Sequence, residues 1–509
     1  MFGAILRVMK IAICYPPLEN KKGTPLLSQN RQFQWFSNSL VSYAIYPVVM
    51  ASAATLLQAK GHQVTWLDGI AKRWSFNKFL KKLKDFQPDL IVIETKTPIV
   101  KKHWQIIKII KKLKIKNLKF KIILVGDHVS ALPEESLQNS PVDFVLTGGD
   151  YDFAILNLVN YLKGKEKLAP GVWYQKKSKI QNSKSKTNIK NTGKSILKQN
   201  LNSLPLIDRD LTCWRDYAYK NSNFYRAPGA YTMFARDCWW GKCTFCSWAH
   251  NLYPVKTFRT RPVEKALDEI GHLIKNYHIK EIMDDSGTFP TGDWLRNFCR
   301  GMIERGYNKK IKFNCNMRFN ADLTKKDYQL MGQAGFRFLL YGLESANQKT
   351  LDKIDKNLKI DQVEEVLQWA AEAKMMPHVT VMVGWPWEKK NDIENTLNFV
   401  KSLFKKGLIF TMQATIVIPY PGTPLFAEAK KRGWLKTQKW ADYDMRKSIL
   451  KTNIPDQKLK SYIQSLFSSF ATPQFIWRTV SSIRNFDDIK YITFQGLKFI
   501  SKKLDFKND

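Results

Sequence analysis

Two successive series of short apolar runs, each run followed by a helix-length amphipathic stretch, occupy most of the 509 residues, and no other feature restricts the fold as much. In the first series KIAICYPP from Lys10, HQVTWLDG from His62, LIVIETKT from Leu90, KIILVGD from Lys121 and DFVLTGG from Asp143 read as short buried strands. Between them lie helical patterns such as YAIYPVVMASAATLLQAKG, with Gly61 placed just past the helix end. The second series begins near Tyr231 with YTMFAR and continues through KEIMDDS from Lys280, IKFNCNM from Ile311, FRFLLYGLE from Phe336, HVTVMVGW from His378 and FTMQATIVIP from Phe410. Strands that alternate with helices form βαβ units and therefore parallel sheets. The expected class is α/β: a Rossmann-like doubly wound parallel sheet over residues 1–168, a linker over 169–225, a partial (β/α)6 barrel over 226–425 and a mainly helical C-terminal region over 426–509. Both sheet types gather ligands at the carboxyl ends of their strands. In the first domain that points to the loops after Cys14, Glu94, Val125 and Leu146.

Hydrophobic residues at 44% and charged residues at 25% are ordinary for a globular chain and exclude a mainly disordered, collagenous or coiled-coil protein. The 82 Lys and Arg against 44 Asp and Glu leave +38. Such a charge favours anionic partners, whether nucleic acid, anionic lipid or phosphorylated substrates, and equally fits lysines that only solvate the surface. Residues 175–200 are polar and Lys-rich, a composition that reads as a flexible linker or, less simply, an RNA-binding arm. No run approaches the ~20 apolar residues of a membrane-spanning helix. The opening MFGAILRVMKIAICYPP has no small-residue cleavage site, and Met9 reads as an alternative start. The final FIWRTVSSIRNFDDIKYITFQGLKFISKKLDF sets apolar residues at helical spacing against a basic face, as a cap on the barrel or a surface resting on membrane would.

Seven cysteines are an odd number, and three crowd into RDCWWGKCTFCSWAH, directly after the first strand of the second series. Cys238, Cys243 and Cys246 stand as C-x4-C-x2-C, which argues for a metal or redox site in the cytoplasm rather than a secreted disulfide framework. Three soft thiolates suit an iron–sulfur cluster or zinc. With His250 as a fourth ligand the same loop would make a closed tetrahedral zinc site, and spacing alone leaves both open. Trp239, Trp240, Phe245 and Trp248 would suit a dry wall beside a cluster, although aromatics are ordinary core material too.

Over residues 10 to 445 the chain resembles the cobalamin-binding radical S-adenosylmethionine enzymes, in which a Rossmann-like cobalamin domain precedes a partial-barrel radical domain. Members carry three cysteines after the first barrel strand, usually as C-x3-C-x2-C. This chain has one more residue in the first gap, while Thr244 and Phe245 fit the pattern. The resemblance implies a [4Fe-4S] cluster on Cys238, Cys243 and Cys246. It places S-adenosylmethionine contacts at Phe245, at Asp284, Asp285 and Ser286 for the methionine amino end, at Asn316, Arg318 and Glu344 for ribose and amino acid, and at Gly384 and Glu388 on the adenine side. From the residues alone, DDSGTF also reads as a helix cap and Glu344 as an ion-pair partner. PYPGTP from Pro419 resembles the sixth-strand ending.

For cobalamin the resemblance points to Pro16, Gly126, His128, Gly148 and Gly149, with no D-x-H-x-x-G motif for a cobalt-ligating histidine. The implied activity is reductive cleavage of S-adenosylmethionine to a deoxyadenosyl radical and methylation of a carbon or phosphorus centre of a small molecule or lipid intermediate. Within the class the alternatives are radical cyclisation or rearrangement, and methylthio transfer. The last needs a second three-cysteine set, whereas Cys14, Cys213, Cys299 and Cys315 are scattered. The alternative of another class is a non-catalytic zinc and nucleic-acid-binding protein. Expected partners are a one-electron reductant such as flavodoxin or ferredoxin and peripheral contact with a membrane, with nucleic acid disfavoured and the chain a monomer.

Overall fold

The computed structural model describes residues 8–468 apart from 19–21, 26, 28–32, 37–43, 114–119, 177–187 and 220–223, together with isolated positions between 483 and 496. The centre of the Lys-rich stretch and nearly all of the C-terminal amphipathic segment lie outside the described residues. No helix among the described residues is long and apolar enough to cross a membrane.

Five apolar runs of the first series form strands β1 (Lys10–Tyr15), β2 (Gln63–Asp68), β3 (Leu90–Glu94), β4 (Lys121–Val125) and β5 (Phe144–Leu146). Each side chain of β3 is buried, the signature of a central parallel strand covered on both faces. The parallel order is β2-β1-β3-β4-β5, with Ile11 beside Val64 on one side and Leu90 on the other. Strand order reverses between β1 and β3, and a doubly wound sheet opens its binding crevice at that point. The helix Val48–Ala59 ends where Gly61 adopts φ +81°, as the sequence predicts.

The sheet does not stop at residue 168. β6 (Val172–Gln175) and β7 (Ile189–Asn191) extend it antiparallel from β5, so part of the expected linker belongs to the first sheet. Of these seven residues only Val172 is buried, and strands of four and three residues, the outer one (Ile-Lys-Asn) largely polar, are too short and too exposed to stand out as buried runs.

The second series forms β8 (Gly229–Thr232), β9 (Glu281–Asp284), β10 (Lys312–Met317), β11 (Phe336–Glu344), β12 (Met376–Val383) and β13 (Thr411–Ile416). They pair in sequence order, every neighbour parallel, with β8 and β13 as the two edges, which is the expected partial barrel. Covering helices bury one stripe each: Val263–Tyr277 hides Ala266, Leu267, Ile270 and Leu273. One apolar core continues through both sheets.

YTMFAR is not one strand. β8 ends at Thr232, and Ala235–Arg236 turns away to pair antiparallel with Arg259–Thr260. This two-residue ribbon closes the base of an excursion, residues 237–258, that carries all three clustered cysteines. Past the barrel, the helices Pro424–Lys431 and Asp456–Ser468 match the helical expectation, whereas 432–455 are mostly irregular.

Candidate active site

Cys243 is buried, Cys238 and Cys246 are half-buried, and none is in a disulfide. Thr288 Oγ1, on the loop after β9, donates to Cys238 Sγ at 3.1 Å. Arg318, at the end of β10, donates from Nη1 to Cys243 Sγ at 3.6 Å. Burial pushes the Cys243 thiol up while Lys356 and Arg318 pull it back, and burial raises Cys246 as well, so a metal must displace protons to bind here.

His250 is turned away from the zinc role. Its Nε2 donates to the Cys243 carbonyl at 3.1 Å. Among the described residues no three His, Cys, Asp or Glu side chains converge on a single ion. A zinc ion with Zn–S near 2.3 Å would hold its sulfurs within about 4 Å of one another. A cluster, in which each thiolate takes its own iron, tolerates wider spacing. Three thiols with hydroxyl and guanidinium donors on sulfur, and no nitrogen ligand, fit an iron–sulfur cluster.

Around the thiols the structure gathers several residues expected at an S-adenosylmethionine site. Phe245 meets Trp385 edge-on with centroids 5.6 Å apart. Arg318 is 5% exposed, and its guanidinium lies 5.5 Å from the ring centres of both Trp239 and Trp240. Asp285 is buried and its amide binds the Thr232 carbonyl. Asn316 Nδ2 donates to the Ser286 carbonyl at 2.7 Å, which ties the ends of β9 and β10 together.

Other expected contacts are absorbed by the fold. Asp284 Oδ2 accepts from Thr232 Oγ1 and the Phe234 amide, and Oδ1 from the Ser286 amide, so this carboxylate splices β8 to β9. Ser286 Oγ accepts from the Ala235 amide. Glu344 pairs with Lys356 Nζ at 2.8 Å, the ion-pair alternative. Glu388 accepts from Ser345 and Thr350 hydroxyls, both at 2.9 Å, and burial pushes it up to about 7. Gly384 has φ +91°, and a Cβ there would stand 3.3 Å from Leu459 of the helix Asp456–Ser468.

Three functional candidates escape sequence reasoning: Thr288, Lys356 and Asp237. Asp237 precedes Cys238 and is 2% exposed, with Oδ1 lacking a hydrogen-bond partner. Burial pushes its carboxyl up to about 7, with the Asp285 carboxylate adding to the rise and the Gly287 amide and Arg236 opposing it. A Cβ on Gly287 would lie 2.0 Å from Asp237 Oδ1, so the glycine of DDSGTF is there to admit this carboxylate. The adjacency of Asp237 to Cys238 was visible in the sequence; the fold alone brings in Thr288 and Lys356.

At the carboxyl edge of the first sheet His128 is no open ligand. It is fully buried, with Nδ1 3.2 Å from Thr97 Oγ1 and Nε2 3.1 Å from Glu135 Oε2, and Trp440 covers it at 5.3 Å. Gly126 takes φ +133° against the Thr95 carbonyl, Gly148 packs on Ser195 and Gly149 on the Tyr253 ring, so these three glycines serve close packing of the chain on itself. Pro16 is buried beside the switch point. Buried polar groups there include Tyr15, bonded to Glu94 at 2.6 Å, and Lys96, 3.8 Å from Asp127. Such a donor and acceptor set fits a planar cofactor with a polar rim.

The first domain sits directly on the cysteine excursion. Arg236, two residues before Cys238, reaches Asp152 at 2.7 Å and Asp150 at 3.5 Å, and Arg259 reaches Asp150 at 2.9 Å. Tyr253 donates its hydroxyl to the Gly149 carbonyl at 2.8 Å.

Comparison with known proteins agrees with this layout. Residues 39–156 match the B12 binding domain and residues 233–400 the Radical SAM superfamily. An uncharacterized methyltransferase of Pyrococcus horikoshii is 25% identical over 470 residues, 91% of this chain and 93% of that protein. The anaerobic magnesium-protoporphyrin IX monomethyl ester cyclase of Cereibacter sphaeroides is 24% identical over 379 residues, 72% of this chain and 57% of that protein. Among solved structures, the radical S-adenosylmethionine methyltransferase TsrM from Kitasatospora setae, with cobalamin and a [4Fe-4S] cluster bound, superposes with a TM-score of 0.65 at 12% identity, covering 92% of this chain and 90% of that one. With a B12-binding domain docked on the three-thiol loop of a radical SAM barrel, the chain belongs to the cobalamin-binding radical S-adenosylmethionine enzymes.

Proposed function

We propose that this protein is a cobalamin-dependent radical S-adenosylmethionine methyltransferase acting on a carbon or phosphorus centre of a small molecule or lipid intermediate. The observation that carries the reading is the three-thiol excursion at the carboxyl end of β8, locked to the B12-binding domain through the buried Arg236–Asp152 pair. When bound, the cluster and S-adenosylmethionine supply a one-electron cleavage that makes a carbon radical, and cobalamin supplies a transferable methyl group.

The residues of the chain prepare the place for that chemistry. Cys238, Cys243 and Cys246 hold the cluster, while Thr288 and Arg318 direct donors at two of the sulfurs. Asp285 and Asp237 offer carboxylates to an ammonium group. Trp239, Trp240 and Phe245 exclude water around the thiols. All seven cysteines are free, which supports a cytoplasmic setting.

The test is anaerobic reconstitution followed by assay for deoxyadenosine and for label passing from the S-adenosylmethionine methyl group to cobalamin. Wild type is expected to retain iron and do both; Cys243→Ala is expected to lose iron and cleavage together. A Cys243→Ala protein that cleaves at the normal rate overturns the site. Similarity to the cyclase favours a second reading, ring formation. It predicts deoxyadenosine without transfer of the labelled methyl group.

A further inference from the structure

The cysteine excursion has two sides. Its Trp248–Tyr253 part is covered by the B12-binding domain, where the Gly149 amide binds the Leu252 carbonyl at 3.0 Å and Tyr253 lies against Gly149. The Cys243–Cys246 part faces the other way. There the Thr244 amide donates to the Ile354 carbonyl at 3.0 Å and the Thr244 carbonyl accepts from the Leu425 amide at 3.0 Å. Two barrel segments, one ending the helix Gln348–Lys353 and one opening the helix Pro424–Lys431, thus clamp the residue between two cysteines.

From that clamp a line of aromatic rings runs outward. Phe245 meets fully buried Trp385 at 5.6 Å, Trp385 stacks on half-buried Trp387 at 5.3 Å, and Trp387 meets half-buried Trp434 at 6.3 Å. Cations cap the outer end. Lys353 Nζ lies 4.0 Å from the Trp387 ring and 5.8 Å from Trp434, and Arg432 lies 5.2 Å from Trp434 while pairing with Glu428. Lys430 and Lys431 are exposed on the same helix. On the excursion itself exposed Lys242 lies 4.7 Å from Trp240, whose Nε1 binds the Asp355 carbonyl at 2.7 Å. Rigid tryptophans ringed by exposed cations are the residues on which protein interfaces concentrate their affinity. This face therefore joins positive charge, anchored aromatics and a short apolar path to the thiols.

We infer that the Lys353–Trp387–Trp434–Arg432 face is the docking surface for an acidic one-electron carrier protein that reduces the cysteine-held cluster. The inference rests on the radical reading proposed above, since only that reading requires electrons from outside. In the transfer one electron leaves the reduced carrier, which is oxidised by one, and the cysteine-held group is reduced by one. No bond is broken and no leaving group departs. Positive charge here steers and orients the acidic carrier, so the contact weakens as salt rises.

The experiment uses the reconstituted full chain and reduced flavodoxin as the carrier. Calorimetry is expected to give an affinity that falls with ionic strength. Lys353→Glu with Arg432→Glu is expected to weaken it at least tenfold and to slow cluster bleaching by flavodoxin in stopped flow by a similar factor. The same double variant should keep the wild-type rate of S-adenosylmethionine cleavage driven by dithionite, which needs no docking. Lys309→Glu with Lys310→Glu, exposed ahead of β10 at the opposite end of the barrel, should leave flavodoxin affinity within twofold of wild type. Unchanged affinity and bleaching in the Lys353/Arg432 variant, with dithionite cleavage intact, overturns the docking surface alone; absence of dithionite cleavage in wild type overturns the radical reading and this inference with it.

Discussion

Arg318 brings a positive charge into a nearly dry corner beside Cys243, where the Asn320 side chain, the Lys356 carbonyl and two indole faces leave it one orientation. A fixed cation hydrogen-bonded to a cluster thiolate favours the reduced state, because hydrogen bonds to sulfur and net charge set the potential. Arg318→Gln is therefore expected to shift the midpoint potential of the reconstituted protein to more negative values, read by a redox titration followed by electron paramagnetic resonance. Glu388 is buried differently, its carboxyl pushed up to about 7 by loss of water. An acid whose folded value exceeds its unfolded value binds more protons when folded, so its contribution to stability falls as pH rises from about 4.5 to about 7. At ~1.4 kcal/mol per pH unit that window is worth about 3 kcal/mol. Glu388→Gln, which retains an acceptor for the Ser345 and Thr350 hydroxyls, should raise the melting temperature at pH 8 and change it little at pH 5. It should leave S-adenosylmethionine affinity unchanged if Glu388 is only a tether. The sequence offered Glu344 and Asp284 as ligands or as structure, and only the fold shows the neighbours of each carboxylate, Lys356 for Glu344 and Thr232 with two backbone amides for Asp284.

Among the elements, the strands were legible wherever they are buried on both faces. All eleven apolar runs contain strand, because a covered parallel strand needs an unbroken apolar stretch. The exceptions have a common cause. β6 and β7 are a short, mostly exposed pair at the end of the sheet, and YTMFAR bends after Thr232 because its last two residues pair with Arg259–Thr260 instead of continuing the barrel. Neither a short exposed ribbon nor a change of partner marks itself in the local hydrophobic period. The loop DDSGTF likewise hides its constraint, the approach of Asp237 to Gly287. Gly287→Ala must move that carboxylate, and we expect a loss of roughly 1–3 kcal/mol in chemical denaturation, the usual cost of overpacking a closed site.

Across the whole molecule the two domains share one core and a buried ionic lock rather than a loose linker. Asp152 is wholly buried and Arg236 4% exposed, so deleting one partner strands a charge in a dry interface. Asp152→Ala is expected to cost about 3–5 kcal/mol and to expose the interface to limited proteolysis, whereas replacing Asp152 and Arg236 together with apolar residues should recover much of the loss. Because the lock lies two residues from Cys238, weakened docking should also lower iron retention, which iron analysis measures. By itself the sequence determined the two parallel sheets and the three-thiol loop, since buried strands and C-x4-C-x2-C are patterns between near neighbours in the chain. Only the tertiary structure decided which groups serve those thiols and how the domains meet. Arg318 is 75 residues from Cys243 and Asp152 is 84 from Arg236, and contacts that distant form only when folded strands bring their carboxyl ends together.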